Sequence, residues 1–358
     1  MKRLRVLHID SGRDWRGGQR QVLLLATGLA QREHKSLILA PKDSPLLSRA
    51  KAAGLDAEPV NAQGDWDLLA AVDVRRRVRE FRADIAHAHD ARSHAVALVA
   101  LMGLKQPPLV VTRRVQFIPK AVRLKYGNRV ARFIAVSTAV KKAMAEGGVD
   151  PQRITVVHSG VDEPPATLVP RNWREELGWP DNSVICGVVG AMTGEKGVAD
   201  LAAISEQLEP EARARARLVL LGGERHGPIK IGGVTAFSAG FVEDIVPAIA
   251  GLDVLWHPSR AEGLGTSVID AMGLGVPPIA FAVGGIAEVV EHDVSGLLVQ
   301  PRDLPAFARA ADKLIDDEAA RMRLAEAARA RARMFTAETM TRETEAVYYQ
   351  LVFGGGNR

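Results

Sequence analysis

The chain has 358 residues, too many for one ordinary core and a comfortable length for two domains of about 150 residues each. With 47% apolar and 25% charged residues it is neither disordered nor fibrous, no apolar run approaches the roughly 18 residues of a membrane span, and its one cysteine, Cys186, excludes an internal disulfide framework and fits a reducing cytoplasm. Charge is uneven: residues 1–165 hold 28 Lys and Arg against 16 Asp and Glu, net +12, and residues 166–358 hold 19 against 26, net −7.

The opening "MKRLRVLHID" reads as a buried strand, not as a signal peptide. After it, Gly17-Gly18 stands where a loop enters a helix beginning near Gln19. Amides at a helix start bind phosphate, and glycine lets the phosphate come close. The spacing is not G-x-G-x-x-G, and no such pattern follows any strand, which argues against a nicotinamide enzyme. "SLILA" is the next strand. "DWD" (Asp65-Trp66-Asp67) resembles the D-x-D that holds a metal–nucleotide pair, but before a helix Asp65 or Asp67 is more simply an N-cap.

The strand "DIAHAH" then delivers His87, His89 and Asp90, with His94 beyond. The run resembles the H-x-H-x-D-H of metallohydrolases with the aspartate one position early. No second His/Asp cluster completes a zinc site, so no metal is expected. "PLVVT" and "FIAVS" follow, and "DEPPATLVPRN" (162–172), with three prolines, reads as a linker. The pattern restarts with "VICGVVG", where Cys186 reads as a small buried residue, and continues with "RLVLLGG", "DVLWHPS", "VPPIAFA" and "GLLV". Lys196 lies in the glycine-flanked loop "GEKG" after the first of these, where its ammonium can meet an anion. Residues 303–351 read as three helices, and the terminal "GGGNR" as a frayed end.

Near-continuous apolar strands with helices between them imply two doubly wound α/β domains whose ligands bind beyond the carboxyl ends of the strands. The division read from the chain is 1–165, 166–335, and 336–358 as a C-terminal helix and tail.

"SRAEGLGTSVIDAMGLG" (Ser259–Gly275) is the most informative stretch. Glu262 and Asp270 are eight residues apart, about 2.2 helical turns, so a helix would hold both on roughly one face. Glu262 would stand at the helix mouth with the amides of Gly263, Leu264, Gly265 and Thr266, and Asp270 two turns in. Carboxylates accept paired hydrogen bonds from sugar diols, and the helix start receives phosphate. A sugar nucleotide has that layout.

The segment "HPSRAEGLGTSVIDAMGLGVPPIAFAVGGIAEVVEHDVSGLLVQPRD" is similar to the signature region of retaining glycosyltransferases of family 4, and the order of motifs agrees along essentially the whole chain. The resemblance implies the GT-B fold, two Rossmann-like domains facing across a cleft. It implies that Asp270 binds the ribose hydroxyls, that Glu262 contacts the donor sugar, and that Lys196 neutralises the diphosphate, on which Gly17 and Gly18 close from the other domain. It places "HAHD" on the acceptor side, with His89 and Asp90 as catalytic candidates there beside Glu262 and Lys196. Three departures stand out: Asp270 replaces a glutamate, "GAM" (Gly190–Met192) stands where an arginine is frequent, and Arg113-Arg114 occupy the place of a histidine.

The expected activity is sugar transfer from a nucleotide-diphosphate donor with retention of configuration, needing neither cofactor nor metal. A sugar-nucleotide epimerase of the same fold and a non-catalytic sugar-nucleotide-binding protein remain alternatives. The expected acceptor is a glycan or glycolipid of the cell envelope, such as a lipopolysaccharide core. The protein is expected in the cytoplasm, with attachment to the inner face of the plasma membrane as a further reading. That reading rests on "RRRVREFR" (Arg75–Arg82) and "PKAVRLKYGNRVAR" (Pro119–Arg132), taken as two basic helices facing anionic lipid. With only 5% aromatic residues, the basic half lacks the interleaved rings of single-strand nucleic-acid binders.

Overall fold

The computed structural model describes every residue except Met1, Asn61, Gln63, Asp65, 120–124 and 355–358. The chain divides into two units, Met1–Gly160 with Thr336–Arg358, and Val161–Phe335. In the first, β1 (Arg5–Ile9), α1 (Gly17–Gln31), β2 (Lys35–Ala40), α2 (Pro45–Ala52), β3 (Asp56–Pro59) and α3 (Leu68–Phe81) wind toward one edge of a sheet. The chain then crosses back through β4 (Ile85–Ala88), α4 (Ala91–Ala100), β5 (Leu109–Arg113), β6 (Val130–Ala135), α5 (Thr138–Glu146) and β7 (Ile154–Val156). The seven parallel strands run in the order β3-β2-β1-β4-β5-β6-β7. The order reverses between β1 and β4, the point at which an open α/β sheet leaves a crevice for a ligand.

The second unit repeats the plan. Its elements are α6 (Trp173–Leu177), β8 (Val184–Val189), α7 (Leu201–Glu206), α8 (Pro210–Arg215), β9 (Ala216–Ile231), β10 (Val234–Gly240), α9 (Ile245–Ala250) and β11 (Val254–His257). After them come α10 (Thr266–Gly273), β12 (Pro278–Phe281), α11 (Ile286–Val289), β13 (Leu297–Val299), α12 (Leu304–Asp316) and α13 (Glu318–Ala332). The sheet order is β10-β9-β8-β11-β12-β13, with the reversal between β8 and β11. Two doubly wound domains were expected, and two are found. The departure from a purely parallel sheet is a hairpin: the distal half of β9 turns at Gly232-Gly233 and pairs antiparallel with β10, Val234 against Ile231 and Ala236 against Ile229.

Residues 162–172, the proline-rich segment, form neither helix nor strand. The return of the chain is the less obvious feature. α14 (Ala337–Phe353) follows the second unit in sequence but packs on the first, placing Met340, Val347 and Tyr348 among Leu4, Val6, Leu25, Leu29, Ile85 and Val110. Gly28 permits the approach of α1, since a Cβ there would collide with the Thr341 side chain. The buried Glu345 carboxylate accepts from Arg32 Nε at 2.9 Å and from His34 Nε2 at 2.7 Å. His34 Nδ1 in turn accepts from the Leu4 amide at 3.0 Å, which assigns its proton to Nε2. Burial of three large apolar side chains, each contributing about 1.5–3 kcal/mol, holds the helix there.

Two expectations for the basic half need correction. Asp67 is the N-cap of α3, accepting from the Ala70 amide at 3.0 Å, while Asp65 lies outside the described residues. The segment Pro119–Arg132 is not one amphipathic helix: Val130 and Arg132 belong to β6, and Tyr126 and Val130 are buried. Residues 120–124 and the terminal 355–358, with the expected fraying, lie outside the described residues.

Candidate active site

Each unit carries a polar cluster at its own strand-order reversal. In the second, Glu262 sits in the loop between β11 and α10, and Lys196 in a single helical turn, Gly194–Lys196, after β8. Two backbone contacts join these loops: the Arg260 amide donates to the Glu195 carbonyl at 2.8 Å, and Ser259 Oγ donates to the same oxygen at 3.2 Å. Gly197 makes the approach possible. It has φ 70°, and a side chain there would strike the Pro258 carbonyl.

The result is an ion pair between Lys196 Nζ and Glu262 Oε1. The same oxygen lies 3.1 Å from His257 Nε2 and accepts from Ser259 Oγ at 3.3 Å. Burial alone would raise the Glu262 carboxyl, but the hydrogen bond and charge of His257, and then Lys196, outweigh it and bring the carboxyl down to about 2. Glu262 is therefore a fixed anion. Beside it α10 begins at Thr266 with Gly265 as N-cap at φ 92°, no side-chain cap and no acid in the first turn. Its first amides are free of local capping, which is the arrangement that receives anions. Gly263, Leu264 and Gly265 are buried in the approach to it, and Asp270 is half-buried on the helix, two turns from Glu262 in the chain.

In the first unit, β1 and β4 deliver a stack of rings. His8 pairs across the sheet with His87, and His8 Nδ1 lies 3.0 Å from His89 Nε2. His87 uses both nitrogens, with Tyr348 Oη at 2.6 Å and Thr112 Oγ1 at 2.7 Å. Burial lowers His8 to about 3, and it takes His87 and His89 well below the ordinary histidine range, helped by their neighbours and Arg114. All three are neutral at pH 7.

Ring nitrogens of His8, His87 and His89 lie within 4.8 Å of one another, a spacing that a metal ion would require. The donor set is nonetheless spent. His87 has no nitrogen to spare, His8 and His89 face each other, and the Arg114 guanidinium donates to the His89 carbonyl at 2.8 Å. Nor does the linear run "HAHDARSH" form one cluster: His94 Nδ1 accepts from Arg113 at 2.7 Å, away from the stack.

Asp90, a catalytic candidate from sequence, is the N-cap of α4. It accepts from the Arg92 and Ser93 amides, and from the Ser11 amide and hydroxyl at 2.7 Å each. Asp10, at the end of β1, accepts from Gln19 at 3.0 Å and from the Gly12 amide at 2.8 Å. Its carboxyl is raised by burial and by Asp90, while burial pulls Arg114 down to about 10. Gly17 and Gly18 open α1, whose N-cap Arg16 makes no side-chain cap. The Arg114 stem passes Gly18, 3.9 Å from where a Cβ would stand.

Sequence reading therefore singled out Glu262 and Lys196, which the structure joins, but missed His257 and Ser259, which complete the pair's surroundings. The signal was present in "WHPS", where polar residues end an apolar strand. It also missed His8, Asp10 and Gln19, which only pairing of β1 with β4 connects to His89. Cys186 is fully buried, and burial pushes its thiol up, so it is inert.

Residues 15–163 match the family model described as Glycosyltransferase Family 4, and residues 183–317 match that described as Glycosyl transferases group 1. The chain is 31% identical over 207 residues to a D-inositol 3-phosphate glycosyltransferase of Stackebrandtia nassauensis, covering 52% of this chain and 46% of that one. It is 32% identical over 191 residues to the 2-deoxystreptamine N-acetyl-D-glucosaminyltransferase of Streptomyces fradiae, covering 50% and 44%. The chain thus spans about half the length of these curated relatives. Among solved structures, Anabaena HepE in complex with UDP and glucose is similar with a TM-score of 0.81 at 22% identity, over 96% of this chain and 99% of that one.

Proposed function

The chain belongs to the family 4-type glycosyltransferases and has their GT-B fold, and from that premise we propose that it moves a sugar from a nucleoside diphosphate to a hydroxyl acceptor with retention of configuration. The observation that carries the reading is the Lys196–Glu262 pair beside the uncapped start of α10. In the resting protein the two charges compensate each other. When donor binds, the ammonium turns to the diphosphate and the carboxylate is released to accept from the sugar hydroxyls.

As the bond from the anomeric carbon to the phosphate oxygen breaks, Lys196 and the helix amides take up the developing charge, the role that a divalent cation fills elsewhere. The acceptor oxygen bonds to that carbon on the same face, and its proton passes to the departing phosphate. No enzyme nucleophile is required, and Asp270 holds the ribose diol.

We propose an acceptor of the envelope type, lipid-linked and anionic, which agrees with the net +12 of residues 1–165 and keeps the enzyme at the cytoplasmic face. Among the described residues no helix is long and apolar enough to cross a membrane, so such contact would be peripheral. The relatives favour a second acceptor class. Inositol and deoxystreptamine are both hydroxylated six-membered rings, and a small soluble cyclitol is the competing substrate.

The test follows release of nucleoside diphosphate from UDP-glucose and other donors, with lipid-linked and cyclitol acceptors, with and without chelator. Turnover that persists in chelator, with the anomeric configuration kept in the product by NMR, supports the reading. Absence of transfer to any acceptor, an inverted product or a strict magnesium requirement each overturns the corresponding part.

A further inference from the structure

The basic half was expected to meet anionic lipid through charge on Arg75–Arg82, but much of that charge is internally neutralised. Arg76 pairs with Asp73 and Glu80, and Arg77 with Glu58 and Asp73. Arg75 is turned to the carbonyls of Ala100 and Met102. What the same helix does expose is apolar. Leu69 is 85% exposed and Leu68 and Val72 are each 67% exposed in the first turns of α3, with Trp66 just ahead of them.

These residues follow β3, and the exposed Val115 and Ile118 follow β5, so in a parallel sheet both groups belong to the carboxyl edge. A line of contacts joins them: Lys125 Nζ lies 5.4 Å from the Trp66 ring, and the next residue, Tyr126, packs on Phe117. Six exposed apolar side chains along one edge are more than scattered surface hydrophobics.

We propose that this edge docks on an anionic lipid bilayer, with Trp66, Leu68, Leu69 and Val72 entering the headgroup region. Charge complementarity selects the occupant. Residues 91–145 contain eleven Lys and Arg and no Asp or Glu. A second copy seated on the same patch would bring two such tracts together, whereas an anionic leaflet compensates them. Tryptophan and aliphatic side chains rimmed by lysine and arginine are the composition of an interfacial element. The inference builds on the envelope-acceptor reading above, because it places the carboxyl edge of the first sheet, with Asp10, Asp90 and Arg114, at the surface that would carry such an acceptor.

The experiment sediments the full chain with vesicles of phosphatidylcholine alone or mixed with phosphatidylglycerol, at low and high salt. Wild type should bind the mixed vesicles and retain part of that binding at high salt, because apolar insertion is not screened. The Leu68→Ser/Leu69→Ser/Val72→Ser variant, altered only at exposed positions, should bind about tenfold less or weaker still with unchanged Tm. Trp66 emission should shift to the blue on the vesicles, and the shift should vanish in Trp66→Phe.

No binding of wild type at low salt, or equal binding by the triple variant, overturns the proposal. So does a wild-type dimer, seen by sedimentation velocity, that the triple variant dissolves, since a second copy would then cover the patch. Failure of sugar transfer would sink the proposed function and leave the vesicle result standing.

Discussion

The clusters at β1/β4 and β8/β11 occupy equivalent places in two sheets wound in the same sense, yet they handle polar groups in opposite ways. In the first unit, burial without charged partners leaves His8, His87 and His89 neutral. In the second, Glu262 is also buried but keeps its charge, because His257 and Lys196 outweigh the cost of desolvation. The strand order settles where a site can form. Which residues end the strands decides whether that site offers neutral hydrogen-bonding groups, suited to acceptor hydroxyls, or fixed charge, suited to a diphosphate.

Acid should separate the two units, and this is the largest expected effect. A histidine lowered to about 3 in the folded chain and near 6.5 when unfolded favours unfolding increasingly as pH falls through that window. The effect is up to about 1.4 kcal/mol per pH unit for each such group. Glu262, brought down to about 2, contributes stability above its unfolded value near 4.3 and loses it only as pH falls toward 2. Hydrogen exchange at pH 5 should therefore show protection lost from β1 and β4 while β8 and β11 hold. Simultaneous loss, or the second unit opening first, would contradict the contrast. His8→Asn should make the acid dependence shallower.

Activity should respond in the other unit. Glu262→Ala should lower turnover by about 10²-fold in a folded protein. Near-normal kcat would remove Glu262 from the chemistry. Asp270→Asn should weaken donor and free nucleoside diphosphate alike by about 1.5–3 kcal/mol in calorimetry, if its carboxylate grips the ribose. Unchanged nucleotide affinity rules that role out.

The smallest effect belongs to Lys196→Ala, about a tenfold loss, since the amides of α10 still face the leaving group. Because Lys196 helps to hold Glu262 down, the acid limb of the pH–rate profile should move to higher pH in that variant. An unmoved limb would mean that the pair is incidental to turnover.

Most strands were legible because both faces of a parallel sheet are covered, so "RVLHI", "SLILA" and "VICGVV" are apolar runs. The strands not recognised are those that burial does not mark. β3, "DAEP", is a largely exposed edge strand, and β7, "ITV", is three residues long. β10 alternates along a hairpin whose partner is the distal half of β9. The misread basic helix has a related cause: Val130 and Arg132 fit a helical face in sequence, but Val130 ↔ Leu109 pairing makes them the start of β6. Glu262, Lys196 and the glycines around them were visible because a loop at a strand end with an acid, a lysine and glycines has few structural uses.

The sequence by itself determined the two α/β repeats, the spacing of Glu262 from Asp270 and the uneven charge, because strand burial, helical periodicity and composition act over short range. Tertiary structure alone decided that Lys196 and Glu262 neutralise each other, since Gly197 lets two loops 66 positions apart close on one another. It decided that α14 completes the first unit and sets Tyr348 against His87. It also decided that Asp90 spends its oxygens on Ser11 and the start of α4. Each of these depends on which distant backbones pack together, and no local pattern encodes a hydrogen bond between residues whose strands have not yet met.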